Sequence, residues 1–476
     1  MADALVNTSQ SESGRSAARF LNRLGYLSLL ITIALTAIPY GTVHRWWIAA
    51  FECAIFLIAT LAVIEFTITK NWDFHLSLVA PLLLLALFAI IQSLPLFSGP
   101  GPLYPRTSIS ADPYSTRLFA IQLTALVFVV LLLLHYTSTK VRLRRLIYVI
   151  IGIGIASALF GIIRHHLQTS PGFVLPALET GVRSFGQFIN RNHFAVLLEM
   201  SLGLTLGLIV GEIGRLRRVL VLLAIGALLW IAIIYSSSRG GIVAALCQLL
   251  FVVAFIGPVR RVTSDDEDSR WRRTEKIVGG LLLRAFLIIC LIGMLIYGVS
   301  WIGGEDVVGN LQLAVTDFSQ QQMGDNVNSS RKEIWSASWQ MFKAHPITGV
   351  GFGGYWIGIT RYHHASGQIT PQQAHNDYLE LMTSGGLIAC ALGIWFVFIL
   401  VKRAQPLLRS PDPDSRAAAL GALAGIFAVA IHSFFDFGLH ITINAVVLFA
   451  LVVIAVHREG LPHMDRGRPG RRNSPF

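Results

Sequence analysis

Residues 375–401 read HNDYLELMTSGGLIACALGIWFVFILV. After the polar opening His375-Asn376-Asp377, no charged residue follows Glu380 until Lys402. At about 1.5 Å per residue, such a run crosses the roughly 30 Å of hydrocarbon in a bilayer. It predicts a membrane helix whose polar start lies at the water–lipid boundary.

The rest of the chain is built the same way. Of its 476 residues, 54% are hydrophobic and 13% charged, against about 25% charged in soluble domains. Twelve apolar spans are expected, at about 25–40, 47–68, 75–95, 116–135, 145–163, 193–212, 218–236, 241–258, 277–301, 379–401, 416–436 and 439–457. The fold class is therefore an all-α polytopic membrane protein. Residues 1–24 carry Arg15, Arg19 and Arg23 and read as an uncleaved cytoplasmic tail rather than a signal peptide.

Lys and Arg orient the bundle, because cytoplasmic connections hold an excess of them. The basic connections are Lys140 to Arg145, Arg215 to Arg218, Arg260 to Lys276 and Lys402-Arg403, and the tail 458–476 holds five more arginines. With twelve spans these all fall on one side, so both termini are expected in the cytoplasm. The net charge of +12 then reflects topology and attraction to anionic membrane lipids. A nucleic-acid partner is excluded, since the basic residues form no stripe with interleaved aromatics.

The opposite side receives three larger connections, 96–115, 164–192 and a loop at 302–378. The four cysteines, Cys53, Cys247, Cys290 and Cys390, fall inside expected spans, where they pack as small apolar residues and form neither disulfide nor metal site. No Asp/Glu cluster with metal spacing stands in the outer loops, and no cofactor is expected. No internal repeat is visible.

Chemistry-bearing motifs gather on that outer side. Residues 188–194, FINRNHF, place Asn190 and Asn192 around Arg191 at a helix start, where Asn caps and Arg reaches headgroups. SSSRGG at 236–241 turns so tightly that Arg239, after Ser238, lies at the membrane surface. An Arg there usually has a partner, and an anionic phosphate at the N-terminus of the next span is one candidate. Ser330-Arg331-Lys332-Glu333 fits a capping box, so a helix is expected from Arg331. Its apolar face would be Ile334, Trp335, Trp339, Met341 and Phe342, lying on the membrane surface. Arg331 and Lys332 at its positive end invite an external anion or the headgroups of membrane lipids. GVGFGG at 349–354 matches a dinucleotide pattern only formally, with no βαβ unit around it, and reads as a turn.

Asp377 and Glu380 complement the dipole of the next helix. His375, just before it, can accept a proton from a hydroxyl. His432 and Asp436, four apart at the end of the eleventh span, share a helix face and pair with each other or support His375 or Arg239 from behind. Arg284 is the one ionisable residue read as lying well inside a span.

SSSRGG, the RxxxW segment with HPITGVGFG after it, and HNDYLELMTSGG, taken in order with FINRNHF and HSFFD, resemble the O-antigen ligase and polymerase family over about residues 184–440. The resemblance implies a metal-independent, inverting glycosyltransferase of the GT-C-like kind. It would move a glycan from an undecaprenyl diphosphate donor to an acceptor hydroxyl, on the periplasmic side of the bacterial inner membrane. Arg239 and Arg331, with Arg191 beside them, would hold the diphosphate. His375 would act as base or orient the acceptor. Asn190, Asn192, Ser238, Asn376, Asp377, Glu380, His432 and Asp436 would support them. The acceptor is left open: lipid A–core, another lipid-linked glycan, or a protein Ser/Thr hydroxyl as in a protein O-oligosaccharyltransferase. The rival of another class is a transporter or flippase for a lipid-linked glycan.

Overall fold

The computed structural model describes residues 2–70, 76–96, 107–167, 185–212, 216–255, 331–363 and 371–457. Within them the chain is helical and no named strand occurs; one isolated bridge joins Phe185 and Phe188. In chain order the helices are α1 (Ala2–Thr36), α2 (Arg45–Thr69), α3 (Leu76–Ser93), α4 (Pro113–Tyr136), α5 (Lys140–Leu167), α6 (Arg191–Gly211), α7 (Leu216–Tyr235), α8 (Arg239–Phe255), α9 (Arg331–Ala344), α10 (Tyr355–Gly358), α11 (Asp377–Leu408), α12 (Pro413–His432) and α13 (Thr442–Val456). Nine described helices are long and apolar enough to cross a membrane, and α8 and α13 are shorter apolar helices. The expected span at 277–301, with Arg284 and Cys290, lies outside the described residues, as do 302–330.

Two differences in span boundaries bear on the reading. The first helix begins at Ala2, not near residue 25, because nothing between them stops a helix; the stop comes at 37–44, where Tyr40, Gly41 and Thr42 all take positive φ. The eleventh span ends at His432 rather than 436. His432 and Asp436 therefore do not share a helix face.

Local chemistry explains several helix starts. Asp112 and Asp412 each accept a backbone N–H three residues on, from Ser115 and Ser415, and each is followed by proline at the first helical position,. Asn190 caps α6 through Asn192 N–H at 2.9 Å, and Asn376 caps α11 through Leu379 N–H at 3.0 Å.

The innermost layer is α6, α12 and α13. Bare backbone meets bare backbone where α6 crosses α12: Gly203 lies against Gly425, and Gly207 against Gly421 and Ala417. Small residues permit this close approach, which dispersion and packing then reward where water offers no hydrophobic drive. The helix α13 is buried along its whole length.

The GVGFGG loop is locked into a broken helix. Within α11, Gly386 has φ 62° and ψ −160°, which frees carbonyls in the preceding turn. Val350 N–H donates to Thr383 O and Gly351 N–H to Ser384 O, both at 2.9 Å. From α3, Gln92 donates to Thr348 O at 2.6 Å and to Ser384 O at 3.1 Å. Gly349, Gly351 and Gly353 all have positive φ, and a Cβ on Gly349 would collide with the Ser384 carbonyl. The loop is thus more than the ordinary turn expected from its sequence.

Candidate functional site

Four helix ends meet at one end of the bundle: the starts of α6, α8 and α11, and the end of α12. At their centre is Asp436, whose side chain is 1% exposed. His375 Nδ1 lies 3.1 Å from Asp436 Oδ1. Asn190 donates to Oδ2 at 3.2 Å, Asn192 donates to the same oxygen, and Phe437 N–H donates to Oδ1 at 2.9 Å. Burial alone would raise the Asp436 pKa; the hydrogen bonds from His375 and Asn192 and the nearby His193 outweigh it and hold the carboxyl well below its usual range,.

An ionised carboxylate only accepts, so His375 Nδ1 is the donor in this bond, and in a neutral imidazole that leaves the lone pair on Nε2. The His375 side chain is 35% exposed, and its ring meets Phe437 edge-on with centroids 4.8 Å apart. His375 has φ 51°, a strained left-handed conformation for a histidine, held between the Asn376 cap and the Asp436 bond.

Arg239 enters through its neighbours. Ser238 donates to Asn192 Oδ1 at 2.8 Å, and its hydroxyl accepts from Gly241 N–H at 3.2 Å. The turn Ser236–Arg239, with Ser237 at φ 54°, is thereby tied to the Asn192–Asp436 cluster. The Arg239 side chain is exposed and that of Arg191 half-buried. Arg331 is exposed at the first position of α9. One turn later Trp335 donates to Ala374 O at 2.9 Å, which sets the start of α9 beside His375.

Other expected residues are hydrogen-bonded around the start of α11. Glu380 accepts from Ala374 N–H at 3.0 Å and lies 3.3 Å from His440 Nε2. Asp377 accepts from Ser433 Oγ at 2.8 Å, and Asn376 donates to Phe434 O at 3.2 Å.

Three expectations change. His432 pairs not with Asp436 but with Glu199, Nδ1 to Oε1 at 2.7 Å. Glu199 was not anticipated; its signal was a lone acid inside the apolar run FAVLLEMSLGL, which is uncommon in a span. Arg284 is also not alone in being ionisable within a span, since Glu199 and Glu65 are buried in α6 and α2. On α9 the buried face is Ile334, Ala337, Ser338, Met341 and Phe342, with Trp339 47% exposed. Ser338 and Tyr355 hydroxyls meet at 2.6 Å beneath it, so α9 rests on protein along that face.

Fold and site together define a polytopic helical membrane protein with a polar His/Asp/Asn centre where its helices end. Residues 224–394, just over a third of the chain, match the family model described as O-antigen ligase. The family to which the motifs point, the O-antigen ligases and polymerases, is therefore the one that this part of the chain matches. No curated protein matches the chain.

Proposed function

We propose that the protein transfers a glycan from undecaprenyl diphosphate to an acceptor hydroxyl at the periplasmic face of the bacterial inner membrane. The observation that carries this reading is the His375–Asp436 pair, half-open on the imidazole side and sealed on the carboxylate side, tied to the turn that bears Arg239. The matched O-antigen ligase domain supports glycan transfer of this general kind.

In the reaction, the acceptor O–H gives its proton to His375 Nε2 as its oxygen bonds to the anomeric carbon. The bond from that carbon to the diphosphate oxygen breaks, and the electron pair leaves on the diphosphate. Asp436 stabilises the imidazolium that forms. Arg239, Arg331 and Arg191 stabilise the negative charge that develops on the departing diphosphate, a role suited to forked cations and requiring no metal. A single displacement of this kind inverts the anomeric configuration.

The placement of the basic connections supports the sidedness. Lys140 and Arg144 at the start of α5 pair with Asp412 and Asp414 at the start of α12, the end of α12 remote from the Asp436 site. That end would be cytoplasmic, with residues 1–24 and 458–476, and 302–378 would be periplasmic. Lipid A–core, a second lipid-linked glycan and a protein hydroxyl are the possible acceptors.

Gene deletion followed by polysaccharide gels tests the reading. Loss of glycan attachment or of chain length, not restored by His375→Ala, is expected. Cytoplasmic accumulation of the lipid-linked donor would instead favour a flippase and refute the transferase.

A further inference from the structure

Glu199 and His432 lie deeper than the His375–Asp436 pair. Glu199 follows Asn192 by seven residues on the same face of α6, about 10 Å further along its axis. Its side chain is fully buried, and that of His432 is 1% exposed. Among the described residues, Glu199 Oε2 and His432 Nε2 have no hydrogen-bond partner.

The pair sits under the first turn of α8. A Cβ placed on Gly240 would stand 3.1 Å from His432 Nε2 and 3.1 Å from Phe435 Cβ. One on Gly241 would stand 3.2 Å from Glu199 Oε1 and 3.0 Å from Ser238 Oγ. Further along α8, Gln248 donates to Glu199 O at 2.8 Å. On the other side, Asp436 N–H returns to His432 O at 3.2 Å. One buried bond thus joins the middle of α6, the glycines that follow Arg239 and the helix end that leads to Asp436.

Stability alone does not account for this arrangement, because apolar side chains of similar volume often hold a core as well as a buried ionic pair does. What the pair adds is a defined direction: a 2.7 Å bond fixes the imidazole ring, and the ring fills the space left open at Gly240. We infer that Glu199 and His432 are positioning residues for Arg239: they set the height and tilt of the α8 N-terminus, and with it the guanidinium and amides presented to the leaving diphosphate. This rests on the reading above, in which Arg239 meets that diphosphate.

The test uses the full-length protein in nanodiscs, with undecaprenyl diphosphate itself as binding probe and steady-state transfer as the second readout. His432→Ala and Glu199→Gln weaken probe binding and raise the donor KM about tenfold, equivalent to about 1.4 kcal/mol, while kcat stays within about threefold of wild type. His432→Asn keeps a polar group near Nδ1 and restores most of the affinity. Gly240→Ala weakens binding when His432 is present but adds less to His432→Asn, because the ring it presses on is gone and only the contact with Phe435 Cβ remains,. This cycle carries the test if His432→Ala does not fold. Wild-type affinity in all folded variants, additive effects of Gly240→Ala and His432→Asn, or a loss confined to kcat would overturn the inference. Wild-type protein that fails to bind the probe overturns the diphosphate reading itself.

Discussion

Replacing Asp436 by Asn isolates the electrostatic role of the buried carboxylate. At the observed 3.1 Å separation from His375 Nδ1, a full charge pair is worth about 5 kcal/mol at an effective dielectric of about 20. The imidazole is 35% exposed, so solvent screening lowers the useful share to about 3–4 kcal/mol. At about 1.36 kcal/mol per decade, the transfer step should slow roughly 10²- to 10³-fold. The new amide also brings N–H donors towards a site that already receives donors from Asn190, Asn192 and the Phe437 backbone. Insertion and unfolding temperature must therefore be followed alongside the rate. The assay is single-turnover transfer from purified lipid-linked donor in proteoliposomes. A folded Asp436→Asn protein with a transfer rate within about threefold of wild type would refute the assignment of His375 as the proton acceptor.

Three further outcomes are expected. Arg239→Lys and Arg331→Lys each lower transfer about 10²-fold, because a point charge replaces a bidentate fork; wild-type rates in either would remove that arginine from the diphosphate site. Gly386→Ala destabilises the protein in detergent by about 1–3 kcal/mol or more, through backbone strain at φ 62° and a collision with the Ile347 carbonyl,. An unchanged melting curve would contradict the interlock of α11 with the glycine loop. The pKa of Asp436 is lowered on folding, so its contribution to stability is complete above the unfolded carboxyl value of about 3.9 and is lost only as pH falls below it. The Asp436 titration should therefore appear as a loss of wild-type stability below about pH 4 that is absent from Asp436→Asn; equal acid slopes would contradict the lowered value.

The membrane class and the principal polar motifs are legible in the sequence because each announces itself locally. The span after Glu380 is a matter of run length, and helix starts are a matter of capping chemistry, as Asn190 and Asn376 show. The partnerships are not local. Asp436 meets His375 across 61 positions and Asn192 across 244, and His432 meets Glu199 across 233, distances over which spacing rules for one helix say nothing. The spacing of His432 and Asp436 points to a shared face only while the helix continues, and it stops at His432. The GVGFGG segment misleads for a related reason: its three positive-φ glycines answer to carbonyls freed by a break at Gly386, and neither partner identifies the other in sequence.

The central claim is that His375, backed by Asp436, takes the proton of an acceptor hydroxyl while guanidinium groups receive the diphosphate. It is tested most directly by reconstituting wild-type and His375→Ala protein with undecaprenyl diphosphate-linked glycan and acceptor, and determining the yield and anomeric configuration of the product. The account predicts an inverted linkage from wild type and none from a correctly inserted His375→Ala protein. A retained configuration, or undiminished product from that variant, would contradict it.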